Sequence, residues 1–319
     1  MQRPIKIRML VDATEQTGFG HLSRCLHIAN AVRQRALDAE ISFEGGFSDY
    51  AKDRIKSEGF SITSGGKPLP EDEISLHDKY WLTQQDVSRL RKECRKLIML
   101  DDFQMLDLSS ADCVVNFRIH AEAMFQYNSK KDLLGVNYFP HPKSLQDIRA
   151  RKNPPEGPPK NILIFVGGSA SVADENYILE ACRKALSETR IRLVTRHATD
   201  RAAIKGVTYD NPRDDFSQLL DWSDAVICGG GLVKYEAGYC GLPTACVSLT
   251  MGQHQDTEVL AKDSLTYDLG YIRTTSKNLL SRRIESFAQA HVQKEIHSTC
   301  LRTFVENSAE NLAREILNL

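Results

Sequence analysis

No apolar run in this 319-residue sequence approaches the ~18 residues that a membrane-spanning helix requires. An excess of one charge is missing too. The 41 Lys and Arg stand against 42 Asp and Glu, a net charge of −1, so composition offers no attraction to nucleic acid or to an anionic membrane surface. Cysteine occurs eight times but never as Cys-x-x-Cys, and Cys113, Cys182, Cys228 and Cys246 sit inside apolar segments. That scatter excludes the usual zinc and disulfide frameworks and fits buried free thiols in a reducing compartment. Before Asp12 there is only a short strand-like run, too brief for the apolar stretch of a secretory signal. The expectation is a cytoplasmic chain with no membrane span and no nucleic-acid partner.

Two common nucleotide motifs are also missing. The turn Thr17-Gly18-Phe19-Gly20-His21 has no third glycine of the dinucleotide fingerprint, and no Gly-Lys-Ser/Thr follows it. What stands there still carries chemistry. The turn joins a strand-like run, Ile5 to Val11, to a periodic apolar segment through Leu22, Leu26, Ile28, Ala29 and Val32 that reads as a helix. Glycines at such a turn let a ligand approach the backbone, and the helix start offers N–H groups to an anion. A histidine there serves as a general base, a phosphate ligand or a helix-end residue.

Strand-like and helix-like segments alternate along the rest of the chain. Strands are expected at Ile5–Val11, Ala39–Glu44, Leu97–Leu100, Asp112–Val115, Asn161–Val166, Arg192–Thr195, Ala225–Cys228 and Thr244–Val247. Helical patterns such as Ala173–Leu186, Phe216–Leu220 and Val233–Cys240 lie between them. Alternation of this kind predicts parallel sheets covered by helices. Four prolines and a glycine crowd residues 154–159, and a second strand–glycine turn follows at Asn161 to Gly168. The fold class expected is α/β, two Rossmann-like domains facing a central cleft. Residues 1–152 and 160–319 form the domains, with 153–159 as the linker. Ligands in such sheets bind beyond the carboxyl ends of the strands. The sequence does not fix where the amphipathic segment Cys300–Leu319 docks, the first domain being one option.

A second chemical signal lies at Ala225 to Glu236. A strand runs into Gly229, Gly230 and Gly231, then into a helix start at Leu232 and Val233, with Glu236 one turn on. Triple glycine permits close approach by phosphate or ribose, and a carboxylate accepts hydrogen bonds from ribose hydroxyls. Gly241-Leu242-Pro243 and a polar loop, Gly252 to Asp256 with His254 and Gln255, come next.

The order Gly-Gly-x-x-x-x-Glu, Gly-Leu-Pro and a Gln/His loop resembles the nucleotide half of GT-B sugar-nucleotide enzymes, the MurG-like group in particular. With Gly18-Phe19-Gly20-His21-Leu22-Ser23-Arg24-Cys25-Leu26 in front, the chain resembles the UDP-sugar hydrolase family of pseudaminic acid biosynthesis and its spore-coat polysaccharide relatives. Asp78-Lys79-Tyr80, Leu100-Asp101-Asp102 and Val166-Gly167-Gly168-Ser169 add to the likeness, which covers essentially the whole chain. The resemblance implies hydrolysis of a UDP-linked diacetamido-trideoxy sugar at the anomeric carbon, with no metal and no cofactor. It implies His21 as the water-activating residue and Tyr80 as a second catalytic or sugar-contacting group. Gly18, Gly20, Arg24, Asp78, Gly168, Gly230, Gly231, Leu232, Val233, Glu236, His254 and Gln255 are the substrate-binding set it implies. Glu236 would take the ribose, and N–H groups near Leu232 and Val233 the diphosphate.

Several positions depart from the family pattern. Leu232 and Val233 replace hydroxyl residues at the diphosphate turn, His254-Gln255 stands for Asn-Gln, and Ala170 follows Gly-Gly-Ser where Asp is usual. Tyr138-Phe139-Pro140-His141-Pro142 lacks the family's arginine. Transfer of the sugar to an acceptor, or binding without turnover, are the alternatives that these changes leave. Asp101-Asp102 has no His or Glu placed beside it and is expected to be a polar strand end, not a metal site.

Overall fold

The computed structural model describes residues 4–63, 73–79, 81–168, 170–212 and 216–319, with Glu73 and Asp200 described by their backbone alone. The chain forms two compact units, residues 1–142 with 307–319, and residues 143–306.

In the first unit, β1 (Lys6–Val11) leads through the Gly18–Gly20 turn into α1 (Gly20–Arg35). There follow β2 (Glu40–Glu44), α2 (Asp49–Ser57), β3 (Ser61–Ile62) and β4 (Glu73–Asp78). Then come α3 (Gln84–Glu93), β5 (Lys96–Leu100), β6 (Cys113–Asn116), the short α4 (Ala121–Met124) and β7 (Asp132–Leu134). They make a seven-stranded sheet in the order β3-β2-β1-β4-β5-β6-β7, every pairing parallel. The order reverses between β1 and β4, and ligands bind such sheets at the carboxyl ends flanking that reversal. The turn after β1 carries His21, and β4 ends in Asp78.

The sequence pattern did not reveal β4, because Ser75 and His77 place polar side chains on a fully buried face. They satisfy one another there, Ser75 Oγ to His77 Nε2 at 2.7 Å. Burial, followed by the Lys79 charge, pushes the imidazole of His77 down to about 3, so it stays neutral inside the sheet. The two edge strands are too short to leave a pattern: β3 is two residues long and β7 three.

The end of β1 is held tightly by the loop after β2. Gly46 N–H donates to Asp12 Oδ1 at 2.8 Å, and a Cβ on Gly45 would lie 1.7 Å from the Val11 carbonyl oxygen. Gly45→Ala is therefore expected to lower stability by about 1–3 kcal/mol, the ordinary cost of overpacking. Thermal unfolding followed by circular dichroism checks this. A melting temperature equal to wild type would show that the strand end yields freely.

The second unit begins with α5 (Lys143–Arg151), then β8 (Asn161–Phe165), α6 (Val172–Ala185), β9 (Arg190–Val194) and β10 (Val207–Asp210). It continues with α7 (Ser217–Trp222), β11 (Ala225–Cys228), α8 (Val233–Tyr239), β12 (Thr244–Ser248) and α9 (Met251–Lys262). β13 (Tyr267–Tyr271), α10 (Lys277–Phe287) and α11 (Ala290–Thr303) complete it. Its six-stranded sheet, β10-β9-β8-β11-β12-β13, is again parallel and reverses between β8 and β11.

The boundary differs from the one expected at residues 153–159. α5 belongs to the second unit because Arg149 donates to the carbonyls of Tyr239 at 2.6 Å, Leu301 at 2.7 Å and Phe304 at 3.0 Å. The last helix, α12 (Ser308–Leu317), belongs to the first unit. Ala309, Leu312, Ala313 and Ile316 join the core built by β1, β2, β4 and α1.

Candidate active site

α1 begins without a side-chain cap, with Phe19 as the capping residue, and Gly18 takes a φ of +75° that an L side chain rarely adopts. Among the described residues, and leaving aside chain neighbours and the backbone of α1 itself, no heavy atom lies within 4 Å of where a Cβ on Gly18 or Gly20 would stand, so steric room is not what the second glycine supplies. His21 and Arg24 are one helical turn apart and share a face. Both meet the end of β4.

There Asp78, 2% exposed, is the hub. Its Oδ1 lies 2.6 Å from His21 Nδ1 and takes Arg24 Nη2 at 2.5 Å, while its Oδ2 takes Arg24 Nε at 2.6 Å. The remaining Arg24 nitrogen, Nη1, donates to both oxygens of Asp102 at 3.0 Å. Burial by itself would push the Asp78 carboxyl up. The charge and hydrogen bonds of Arg24, with those of His21, overcome that and hold it well below the usual carboxylate range. Arg24 is driven the other way: burial opposes its charge, and Asp102 and Asp78 more than restore it.

This geometry assigns a tautomer. An ionised Asp78 only accepts, so the proton between the 2.6 Å pair sits on His21 Nδ1. The lone pair is then on Nε2. His21 keeps 12% of its side chain exposed, against 1% for Asp78. A neutral imidazole fixed in this way by a buried anion carries its lone pair on Nε2, where it can accept a proton.

Arg24, expected among the substrate contacts, directs its guanidinium to two carboxylates, Asp78 and Asp102. Asp78, also expected there, is likewise engaged inside the protein. Tyr80 and Ser169 lie outside the described residues. Asp101 and Asp102 diverge. Asp101 Oδ2 accepts from the backbone N–H of Phe103 at 3.0 Å and Gln104 at 2.5 Å and from Tyr127 Oη at 2.6 Å, while Asp102 turns to Arg24. Among the described residues no three His, Cys, Asp or Glu side chains converge as a metal site would need. No helix there is long and apolar enough to cross a membrane.

In the second unit the strand reversal again gathers glycines. Gly167 takes a φ of +103° and Gly168 follows it after β8. Gly229 N–H donates to the Phe165 carbonyl at 3.2 Å, and a Cβ on Gly229 would lie 2.4 Å from the Val166 carbonyl oxygen. A Cβ on Gly230 would lie 2.4 Å from Gln253 Cβ. These two glycines therefore let the turns after β8 and β11 and the start of α9 pack together, whereas Gly231 is exposed and, among the described residues, nothing crowds its Cβ position. Leu232 precedes α8 without a side-chain cap, Val233 is its first residue, and both are half-buried. Glu236 is buried in the first turn.

The expected Gly252–Asp256 loop is instead the first turns of α9. Thr250 Oγ1 accepts from Gln253 N–H at 3.2 Å and starts the helix. His254 stacks on Tyr271, ring centroids 6.4 Å apart, and its Nδ1 is 3.8 Å from Asp268 Oδ1. Gln255 is exposed. Sequence reasoning missed Lys234, buried to 2% exposure and paired with Asp256, which ties α8 to α9 behind the glycine turn. A lysine set between Val233 and Tyr235 at a buried helix start was the available signal.

No protein-family model matches the chain. Over 279 residues it is 24% identical to an uncharacterised protein of Methanocaldococcus jannaschii, covering 75% of this chain and 54% of that protein. Over 295 residues it is 21% identical to a Helicobacter pylori protein named pseudaminic acid cytidylyltransferase and UDP-2,4-diacetamido-2,4,6-trideoxy-beta-L-altropyranose hydrolase, covering 89% of this chain and 51% of that one. The chain thus spans about half the length of the curated relatives it matches. Among solved structures, Acinetobacter baumannii MurG superposes with a TM-score of 0.69 at 15% identity, covering 99% of this chain and 100% of MurG. The spinosyn forosaminyltransferase SpnP gives 0.69 at 10%, with 98% of each chain covered. Arabidopsis thaliana UGT89C1, solved with UDP, gives 0.65 at 12%, covering 98% of this chain and 99% of that one. The fold is GT-B: two α/β units, each built on a parallel sheet.

Proposed function

We propose that the chain hydrolyses a UDP-linked amino- or deoxy-sugar at the anomeric carbon. The observation that carries the reading is the His21–Asp78 pair, an imidazole whose Nδ1 lies 2.6 Å from a buried carboxylate that orients it. Nε2 takes a proton from water as the water oxygen bonds to the anomeric carbon. The bond from that carbon to the diphosphate oxygen breaks, and the electron pair leaves with UDP. Backbone N–H groups at Leu232 and Val233, with the open turn at Gly231, stabilise the diphosphate; Gly168 admits it closely. Glu236 accepts from the ribose hydroxyls, and His254 and Gln255 offer polar contacts from the α9 start. Tyr80 contributes a sugar contact.

The likeness to the Helicobacter pylori protein supports hydrolysis of a UDP-diacetamido-trideoxy sugar, and the UDP bound to UGT89C1 supports UDP as the nucleotide. A second reading, transfer to an acceptor hydroxyl, is favoured by one feature. Trp81, Phe103 and Met105 are 91%, 54% and 82% exposed just beyond Asp78 and Asp102, as an apolar acceptor would require. Water and an acceptor hydroxyl would use the same base.

Glu236→Ala is expected to weaken UDP binding by about 1.5–3 kcal/mol, the loss of a charged hydrogen bond, or roughly 10- to 150-fold. Titration calorimetry with UDP, run with and without EDTA, measures it. Unchanged affinity in the variant would remove Glu236 from the ribose site, and binding abolished by EDTA would contradict a metal-independent site.

A further inference from the structure

We propose that Arg24 is a positioning residue that sets the basicity of His21 by sharing Asp78 with it. The proposal deepens the reading of His21 as the base and rests on it. In a simple imidazole–carboxylate pair the whole anion stabilises the imidazolium and makes the imidazole hold its proton. Here the carboxylate is divided. Arg24 takes Oδ2 through Nε at 2.6 Å and Oδ1 through Nη2 at 2.5 Å, leaving His21 to share Oδ1. Arg24 Nη2 also lies 3.1 Å from His21 Nδ1. Nδ1 carries the proton that bonds Asp78, so this approach sets two donors side by side. It is tolerable for a neutral imidazole and repulsive for an imidazolium. The start of α1 adds to the repulsion, because a helix N-terminus carries positive partial charge.

The surrounding groups set the balance. Asp102 draws on Arg24 from the far side through Nη1, 3.0 Å from each oxygen, and so returns part of Asp78 to His21. Arg118 donates to the Asp102 backbone carbonyl at 2.6 Å. Asp101 is turned away, toward backbone N–H groups and Tyr127. The Lys79 ammonium is occupied by Asp12 at 3.1 Å. Cys25 Sγ lies 3.6 Å from Asp78 Oδ2 and stays a thiol, since burial and the nearby carboxylate push it well up. Arg24 and Asp102 are therefore opposed controls on one imidazole.

The test is a histidine-detected NMR titration of the ligand-free chain labelled with [13C]histidine, with the His21 signal assigned by its loss in His21→Gln. Arg24→Gln is expected to raise the His21 pKa by about one unit or more, and Asp102→Asn to lower it by about half a unit. Neither shift needs a substrate, so the result stands apart from the nucleotide-sugar reading. Where a substrate is turned over, the acid limb of the rate profile moves the same way, and the Arg24→Gln rate recovers at alkaline pH. A rate lowered equally at every pH, with the limb unmoved, is what a merely structural arginine gives and overturns the proposal. So does an unchanged His21 pKa in folded Arg24→Gln. Should that variant fail to fold, Asp102→Asn decides alone: a downward shift supports the proposal and an unmoved pKa overturns it.

Discussion

His21→Gln is expected to lower turnover by ~10²–10⁴-fold while fold and UDP affinity stay near wild type, the range for losing a positioned general base. Glutamine is close to histidine in bulk and keeps a donor for Asp78 at the first turn of α1, where 12% of the side chain is exposed. What it lacks is a basic lone pair. The wild-type rate should also fall as the solution is acidified, because an imidazolium cannot accept a proton. Steady-state rates beside UDP calorimetry separate the roles. Near wild-type turnover with weakened UDP affinity would make His21 a phosphate ligand and pass proton abstraction to Tyr80 or a carboxylate.

Asp78→Asn is expected to cost as much activity and stability besides. An asparagine amide turned toward His21 donates where the carboxylate accepted, which moves the imidazole lone pair to Nδ1 and the proton to the reacting nitrogen. A fall of about 10²–10⁴-fold follows from that change of tautomer alone. Arg24 meanwhile loses its fully buried partner and keeps Asp102, a loss on the order of 3 kcal/mol for a broken buried pair. The sign with pH is fixed. The Asp78 carboxyl is held well below its ordinary value in the folded chain. Its contribution is full above the unfolded value near ~3.9 and fades as pH falls through the lower folded value. Urea denaturation should therefore show wild type more stable than the variant at neutral pH, with the gap closing only in strong acid. Equal stability at neutral pH would contradict the hub role of Asp78.

Much of this site is legible in sequence because its chemistry sits where strands meet glycine turns. The runs ending at Phe165 and Cys228 are apolar and closed by glycine, and Gly18 and Gly20 flank Phe19 ahead of a periodic helix, so the turns bearing His21, Gly168 and Gly231 could be read directly. Asp78 could be named only through resemblance, since β4 hides behind the mutually satisfied Ser75 and His77. The partnership of Arg24 was invisible for a different reason: one-turn spacing on α1 says that His21 and Arg24 share a face, not that two carboxylates from β4 and the end of β5 meet it. The proline-rich segment misled the domain boundary because its composition marks irregular chain, whereas the unit to which α5 belongs is decided by Arg149 reaching distant carbonyls. The polar run Gly252–Asp256 likewise looks like a loop until Thr250 is seen capping it into α9.

Incubation of the purified chain with a panel of UDP-, GDP- and CMP-sugars, without acceptor or added metal, tests the central claim most directly when nucleotide and sugar products are both identified. The expected result is UDP and free sugar in equal amounts from a UDP-linked amino- or deoxy-sugar, a yield lost in His21→Gln. UDP that binds tightly while every sugar nucleotide in the panel stays intact would contradict it.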